Sequence, residues 1–175
     1  SRGVCLNPVT SRRRLHRRPA SQRQMKRVEI KLNISAVAPL LDIIKQAADD
    51  LRQNLAIRAT FPEDDSEFNE TWTQELLAGQ NSDVRELLGL FGSDFFMDGT
   101  IAIDSHNSDS LLRGCSALRI QILTRWLQGI PADLLEDEDV PAESIADGVR
   151  LPFASYTFLD QVQKIILEHL DPGAE

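Results

Sequence analysis

Arg119 is the residue with the sharpest chemical demand in this 175-residue chain. At about 100° per residue, Leu111, Cys115, Leu118, Ile122 and Trp126 fall on one helical face, with Leu112 and Leu123 on its flank. Arg119 lies inside that arc, whereas Arg113 and Arg125 lie outside it or at its edge. A guanidinium keeps its proton, so burial obliges it to find a carboxylate or another acceptor. The residue therefore predicts a bridge to a carboxylate of another segment, with Asp104, Glu75 and Asp160 as unranked candidates. The functional alternative is an anion or ligand site built on Arg119, with Asp104 or His106 nearby.

Asp104, His106 and Asp109 form D-x-H-x-x-D between a short strand and a helix. Carboxylates and imidazole ligate metals and move protons. The same residue types before a helix also make caps and turns, and that is the expected role here. His169 sits on the apolar stripe of the last helix, near its end, where a core or interface imidazole is expected. Cys115 reads as core packing, and Cys5 adds too few thiols for a disulfide framework. The acidic runs at 63–70 and 136–139 lack the alternating ligand spacing of a calcium loop and read as solvated faces, or as a surface for a basic partner. There is no H-E-x-x-H, phosphate loop, G-x-S-x-G or dinucleotide fingerprint. No cofactor, metal or catalytic residue is therefore assigned, and the function classes that lead are non-enzymatic.

The elements that carry these residues follow from periodicity. Val28–Ile34 alternates apolar and polar residues as a half-buried strand does. Ser35 then offers a cap for a helix whose seam is Val37, Leu41, Ile44, Ala48, Leu51 and Leu55. Phe68, Trp72 and Leu76 predict a second helix from about Ser66 to Ala78, closed by Gly79. Ser82 opens a third, with Val84, Leu87, Leu88, Phe91 and Phe95 on its apolar face. Thr100–Ile103 is the second strand, antecedent to a long helix capped by Asp104 or Asn107 and ending near Gln128. A last helix is expected from about Thr157 to Leu170. The fold class is mainly α: about four principal helices in one domain, residues 25–175, with a two-stranded ribbon of 28–34 and 100–103.

Charge divides the chain. Residues 1–27 carry nine Arg or Lys and no acid, while residues 28–175 carry ten against all 27 acids, a net of −17. Such a body repels nucleic acid and anionic membrane and suits a protein partner with a basic surface. No apolar run approaches the roughly 20 residues of a membrane span, and a cytoplasmic location is expected. The pattern does not set an oligomeric state. Residues 1–24 show no helical or strand periodicity, and Met25 immediately precedes the first patterned segment. They read as a disordered or extraneous basic tail, with a targeting segment or a nucleic-acid arm as alternatives.

The order of parts over residues 28–171 resembles a bacterial family catalogued as domain of unknown function 2017. The resemblance rests on VEIKLNISAVAPLLDII, DDSEFNETW, ALRIQILTRWLQGI and SYTFLDQVQKIILEHL. That family also carries an Arg in a leucine-rich helix where this chain has Arg119, and an amphipathic C-terminal helix after an aromatic, as at Tyr156–Leu159. The resemblance implies a helical protein without an established activity. In some members the neighbouring gene encodes the adaptor of the Clp protease, which implies a protein-interaction, adaptor or regulatory role linked to proteolysis.

Overall fold

A computed structural model describes residues 10–13, 27–57 and 66–170. The strand β2 (Val28–Lys31) leads into α1 (Ile34–Asp50), followed by α2 (Ser66–Gly89) and the short α3 (Ser93–Asp98). Strand β3 (Thr100–Ile103) precedes α4 (Ser108–Trp126), the single turn α5 (Ala132–Glu136) and α6 (Arg150–Leu170). The four principal helices and the antiparallel β2–β3 ribbon match the sequence expectation, with Val28 opposite Ile103 and Lys31 opposite Thr100.

The alternation in β2 turns Val28 and Ile30 inward, and in β3 it turns Ile101 and Ile103 inward. These meet the seam of α1 and the stripe Phe158, Leu159, Val162 and Ile166 of α6 in one core. Phe91 joins Phe95 edge-to-face at 5.2 Å and Phe158 at 5.9 Å, which ties the α2–α3 turn to α6.

Two glycines set close approaches. Gly99 adopts φ +76°, and a Cβ there would stand 2.5 Å from the Leu32 carbonyl oxygen. Its own carbonyl accepts from Leu32 N at 2.8 Å, so this turn locks β2 to the start of β3. Gly114 of α4 faces α2, where a Cβ would lie 2.8 Å from the Asp83 carbonyl oxygen. The missing side chain brings the two helices together.

Five boundaries differ from expectation. The cap of α1 is Asn33, whose side chain accepts from Ala36 N, so the strand is shorter and the helix begins before Ser35. The helix stops at Asp50 rather than running to Leu55. Gly79 does not close a helix; α2 runs through it to Gly89. A mid-helix glycine costs only about 1 kcal/mol against Ala, and the Gln80 side chain anchors the helix there. It donates to the carbonyls of Leu51 and Asn54 and accepts from Ala56 N. The expected third helix is accordingly the end of α2, a turn at Leu90–Gly92, and α3. The last helix starts at Arg150, since Pro152 occupies its first turn, where a missing N–H is harmless.

Thr10–Arg13 forms a further strand, β1, antiparallel to β2, in the sheet order β1–β2–β3. The absence of a strand in residues 1–24 is thus corrected for these four residues. Pairing at a sheet edge uses backbone groups and leaves no required side-chain alternation. The rest of the basic tail lies outside the described residues.

Candidate functional site

Arg119 does meet a carboxylate, and it is that of Asp160. The α4 helix points the guanidinium at α6, where Asp160 Oδ1 lies 3.2 Å from its Nη2. The same nitrogen donates to the Tyr156 hydroxyl at 3.1 Å, and Nη1 donates to Gln163 Oε1 at 2.7 Å. The guanidinium carbon also stands 4.6 Å from the centroid of the Tyr156 ring. Positions 156, 160 and 163 recur at helical spacing, so one face of α6 presents all three groups.

Gln163 is the hub of this contact and was not singled out by the sequence. Its amide nitrogen donates to the Leu112 carbonyl at 2.9 Å and to Ser116 Oγ at 2.7 Å. Both bonds reach α4, as does the one it accepts from Arg119. Asp160 is shared: its other oxygen lies 3.2 Å from Lys164 Nζ, which also reaches Glu138 at 2.7 Å. Hydrogen bonding to Glu138 and then to Asp160 holds the Lys164 ammonium above its ordinary range. The acidic run 136–139 is exposed, as expected, and lines a groove of about 250 Å³ with Asp160, Lys164 and Glu168.

These contacts suit a structural bridge between α4 and α6. Both terminal nitrogens of Arg119 already serve Tyr156, Asp160 and Gln163, while its buried Nε has no hydrogen-bond partner among the described residues.

Asp104 is not beside Arg119 but forms the turn into α4. Its Oδ1 accepts from His106 N at 2.8 Å and Asn107 N at 3.1 Å. Asn107 returns the contact by accepting from Asp104 N and donating to the Ala102 carbonyl. The pairing of Arg119 with Asp104 is therefore corrected: the Asp104 carboxylate satisfies the backbone N–H groups two and three residues after it. Asp109 lies in the first turn of α4, where its charge complements the helix dipole. No three His, Cys, Asp or Glu side chains among the described residues are grouped to hold a metal ion. His169 stands in the last turn of α6, partly buried. Cys115 is fully buried, and burial pushes its thiol up to about 12 despite the lowering effect of Arg119.

The surface departs from this closed interior along α2. Phe68, Trp72, Leu76, Gln80 and Val84 form one ridge at i, i+4 spacing. Its C-terminal end is packed, with Val84 only 6% exposed. At its N-terminal end Phe68, Trp72 and Leu76 are 58%, 42% and 37% exposed. The Phe68 and Trp72 rings stack with centroids 6.3 Å apart. Gln80, hydrogen-bonded to the end of α1, marks the change from packed to open. Ile57, adjacent in the chain to the Ala56 it binds, is 70% exposed. Glu67, Glu70 and Glu75 occupy the same open turns, and no Lys or Arg occurs from residue 59 to 84.

The chain matches no protein-family model, no curated protein and no solved structure. No helix among the described residues is long and apolar enough to cross a membrane.

Proposed function

We propose that this protein is a non-enzymatic interaction module, acting as an adaptor or regulator, with the open turns of α2 as its contact surface. The observation that carries the reading is the split ridge. Trp72 and Leu76 keep 42% and 37% of their surface exposed on a helix whose other end is packed into the core. Apolar area is normally removed from water, and an ordered, contiguous strip of it marks an interaction surface. Trp and Phe are also the residue types that carry binding energy at interface centres. Between α4 and α6 the charge of Arg119 is met by Asp160, which Lys164 of α6 shares, and by the Gln163 amide. A cytoplasmic place in regulated proteolysis agrees with the resemblance to domain of unknown function 2017.

A photoreactive residue placed at position 72, with a control at the exposed Asp42 of α1, tests this in host cells. One protein cross-linked from position 72 and absent from position 42 is expected. Equal labelling from both positions, or none from position 72, would overturn the reading.

A further inference from the structure

We infer that the outer edge of β2 is a strand-receiving site: β1 is its exchangeable occupant, and an extended segment of a partner protein, apolar and basic at alternate positions, takes its place. The site is on the sheet and does not rest on the reading of α2. β2 is a fixed template. One of its edges is paired with β3, and Val28 and Ile30 are buried in the core, so it keeps its place whichever strand lies on the other edge. Such an edge offers a row of backbone donors and acceptors to a further strand. The antiparallel pairing of β1 there shows that the edge accepts an extended segment.

β1 holds this place weakly. It is four residues long. Residues 14–27 connect it to β2, well beyond the roughly two to five residues of common hairpin loops. Ordering the strand and closing a loop of that length cost entropy, which offsets much of the return from a few edge hydrogen bonds. The residue pattern fits on one side only. Ser11 and Arg13 hold the register positions opposite Ile30 and Val28, the two β2 residues turned to the core. Directly opposite positions share a face of the sheet, so apolar residues are the types that suit both.

At the other two positions the charges agree. Arg12 is set opposite Glu29, and the neutral Thr10 opposite Lys31. A slip of two residues would set Arg12 opposite Lys31, a like-charge pair. Glu29 keeps 42% of its side chain exposed beside Arg27 at 3.6 Å, and a carboxylate can accept from more than one cation. The net −17 of residues 28–175 also favours a basic strand over an acidic one. The edge therefore asks for a basic residue opposite Glu29 and apolar residues opposite Val28 and Ile30. β1 supplies the first and not the second. A segment that supplies both adds apolar burial to backbone pairing, which is recognition by strand addition. It must displace β1, whose covalent tether gives it an effective concentration on the order of mM.

The test uses the full chain and a fluorescein-labelled peptide that copies residues 8–15 with Ser11→Val and Arg13→Val. Control peptides carry N-methyl groups on the backbone at positions 11 and 12, or Arg12→Glu. In the protein, Ser11→Pro with Arg12→Pro removes two successive backbone donors and so frees the edge whichever of them faces β2. In a second variant, Thr10→Cys with Lys31→Cys in a Cys5→Ser background locks β1 in place. Directly opposite Cα atoms stand about 4.5–5.5 Å apart, within disulfide reach. Anisotropy should show the peptide binding the proline variant at least about tenfold more tightly than wild type, because the tethered competitor is lost. The oxidised cysteine variant should bind at least about tenfold more weakly than its own reduced form. Both control peptides should lose at least about tenfold against the proline variant. Amide exchange within Val28–Lys31 should quicken in the proline variant and slow again when the peptide is added.

Equal affinity for the N-methylated peptide, no binding to the proline variant, or indifference to the disulfide would overturn the inference. Unchanged exchange within Val28–Lys31 in the proline variant would show that β1 does not cover the edge and overturn it too. A concentration-dependent dimer of wild type that the proline variant loses would make the occupant the β1 of a second copy, which also overturns it. The oxidised and reduced forms are one protein, so that comparison holds even if the proline variant fails to fold. Photolabelling from position 72 bears on the α2 surface alone.

Discussion

Arg119 of α4 and Gln163 of α6 are joined by a 2.7 Å hydrogen bond in which the buried carboxamide accepts, while its nitrogen donates back to α4 at Leu112 and Ser116. The two helices are thus held by a polar network set inside an apolar contact. Its members are oriented by one another, since Gln163 can serve both directions only with its amide in this sense.

Removing either member leaves polar groups of the other partly unpaired. Arg119→Ala is expected to cost about 1–3 kcal/mol, less than a fully buried ion pair would, because Asp160 keeps Lys164 as a partner. Gln163→Ala should cost a similar amount. The double variant should lose less than the two single losses combined, by about 0.5 kcal/mol or more. Denaturant titration of the four proteins in the cycle measures this, and strict additivity would show that the two residues act independently.

Gly114 and Gly99 should resist substitution for different reasons. Gly114→Ala gains helix propensity but drives a Cβ to 2.8 Å from the Asp83 carbonyl oxygen. The neighbour is backbone and cannot swing aside, so a net loss of about 1–3 kcal/mol is expected. Gly99→Ala meets the Leu32 carbonyl oxygen at 2.5 Å while holding φ +76°. It should lose at least about 2 kcal/mol. Gly79→Ala, with nothing within 4 Å of its Cβ, should stabilise. Thermal melts that rank these three differently would contradict the described approach of α2 to α4.

Cys115 gives the alkaline branch of stability a specific contributor. Burial raises its thiol from 9.0 to about 12, so the folded protein holds a proton that the unfolded chain releases. The stabilising term is complete below about pH 9 and is lost as pH rises toward 12. Between those values wild type should lose up to about 1.4 kcal/mol per pH unit relative to Cys115→Ala. In a Cys5→Ser background, a thiol reagent at pH 8 should label Cys115 only after denaturant is added. Rapid native labelling would show an accessible thiol.

The periodic parts of this fold are legible in the sequence. The seam Val37–Leu51, the α4 arc and the stripe Phe158–Ile166 each report a face that meets the core. Arg119 is legible because a charge inside an apolar arc needs an acceptor, and Asp160 is among the carboxylates that could supply it. Choosing Asp160 over Asp104 requires the α4–α6 crossing, which is a long-range fact. Gln163 leaves no signal, since an uncharged amide on a helix is as often exposed as buried. Gly79 misleads because tertiary bonds from Gln80 outweigh a local helix penalty. The spacing of Phe68, Trp72 and Leu76 reports a helix but not whether anything covers it.

The open half of that ridge is the centre of the functional account, and paired truncations on α2 test it most directly. Leu87→Ala removes a fully buried side chain and should cost about 2–5 kcal/mol. Trp72→Ala, on the same helix, should stay within about 0.5 kcal/mol of wild type in denaturant titration, as expected of a ring that the core does not use. A Trp72→Ala loss comparable to that of Leu87→Ala would place Trp72 in the core and contradict the interaction surface.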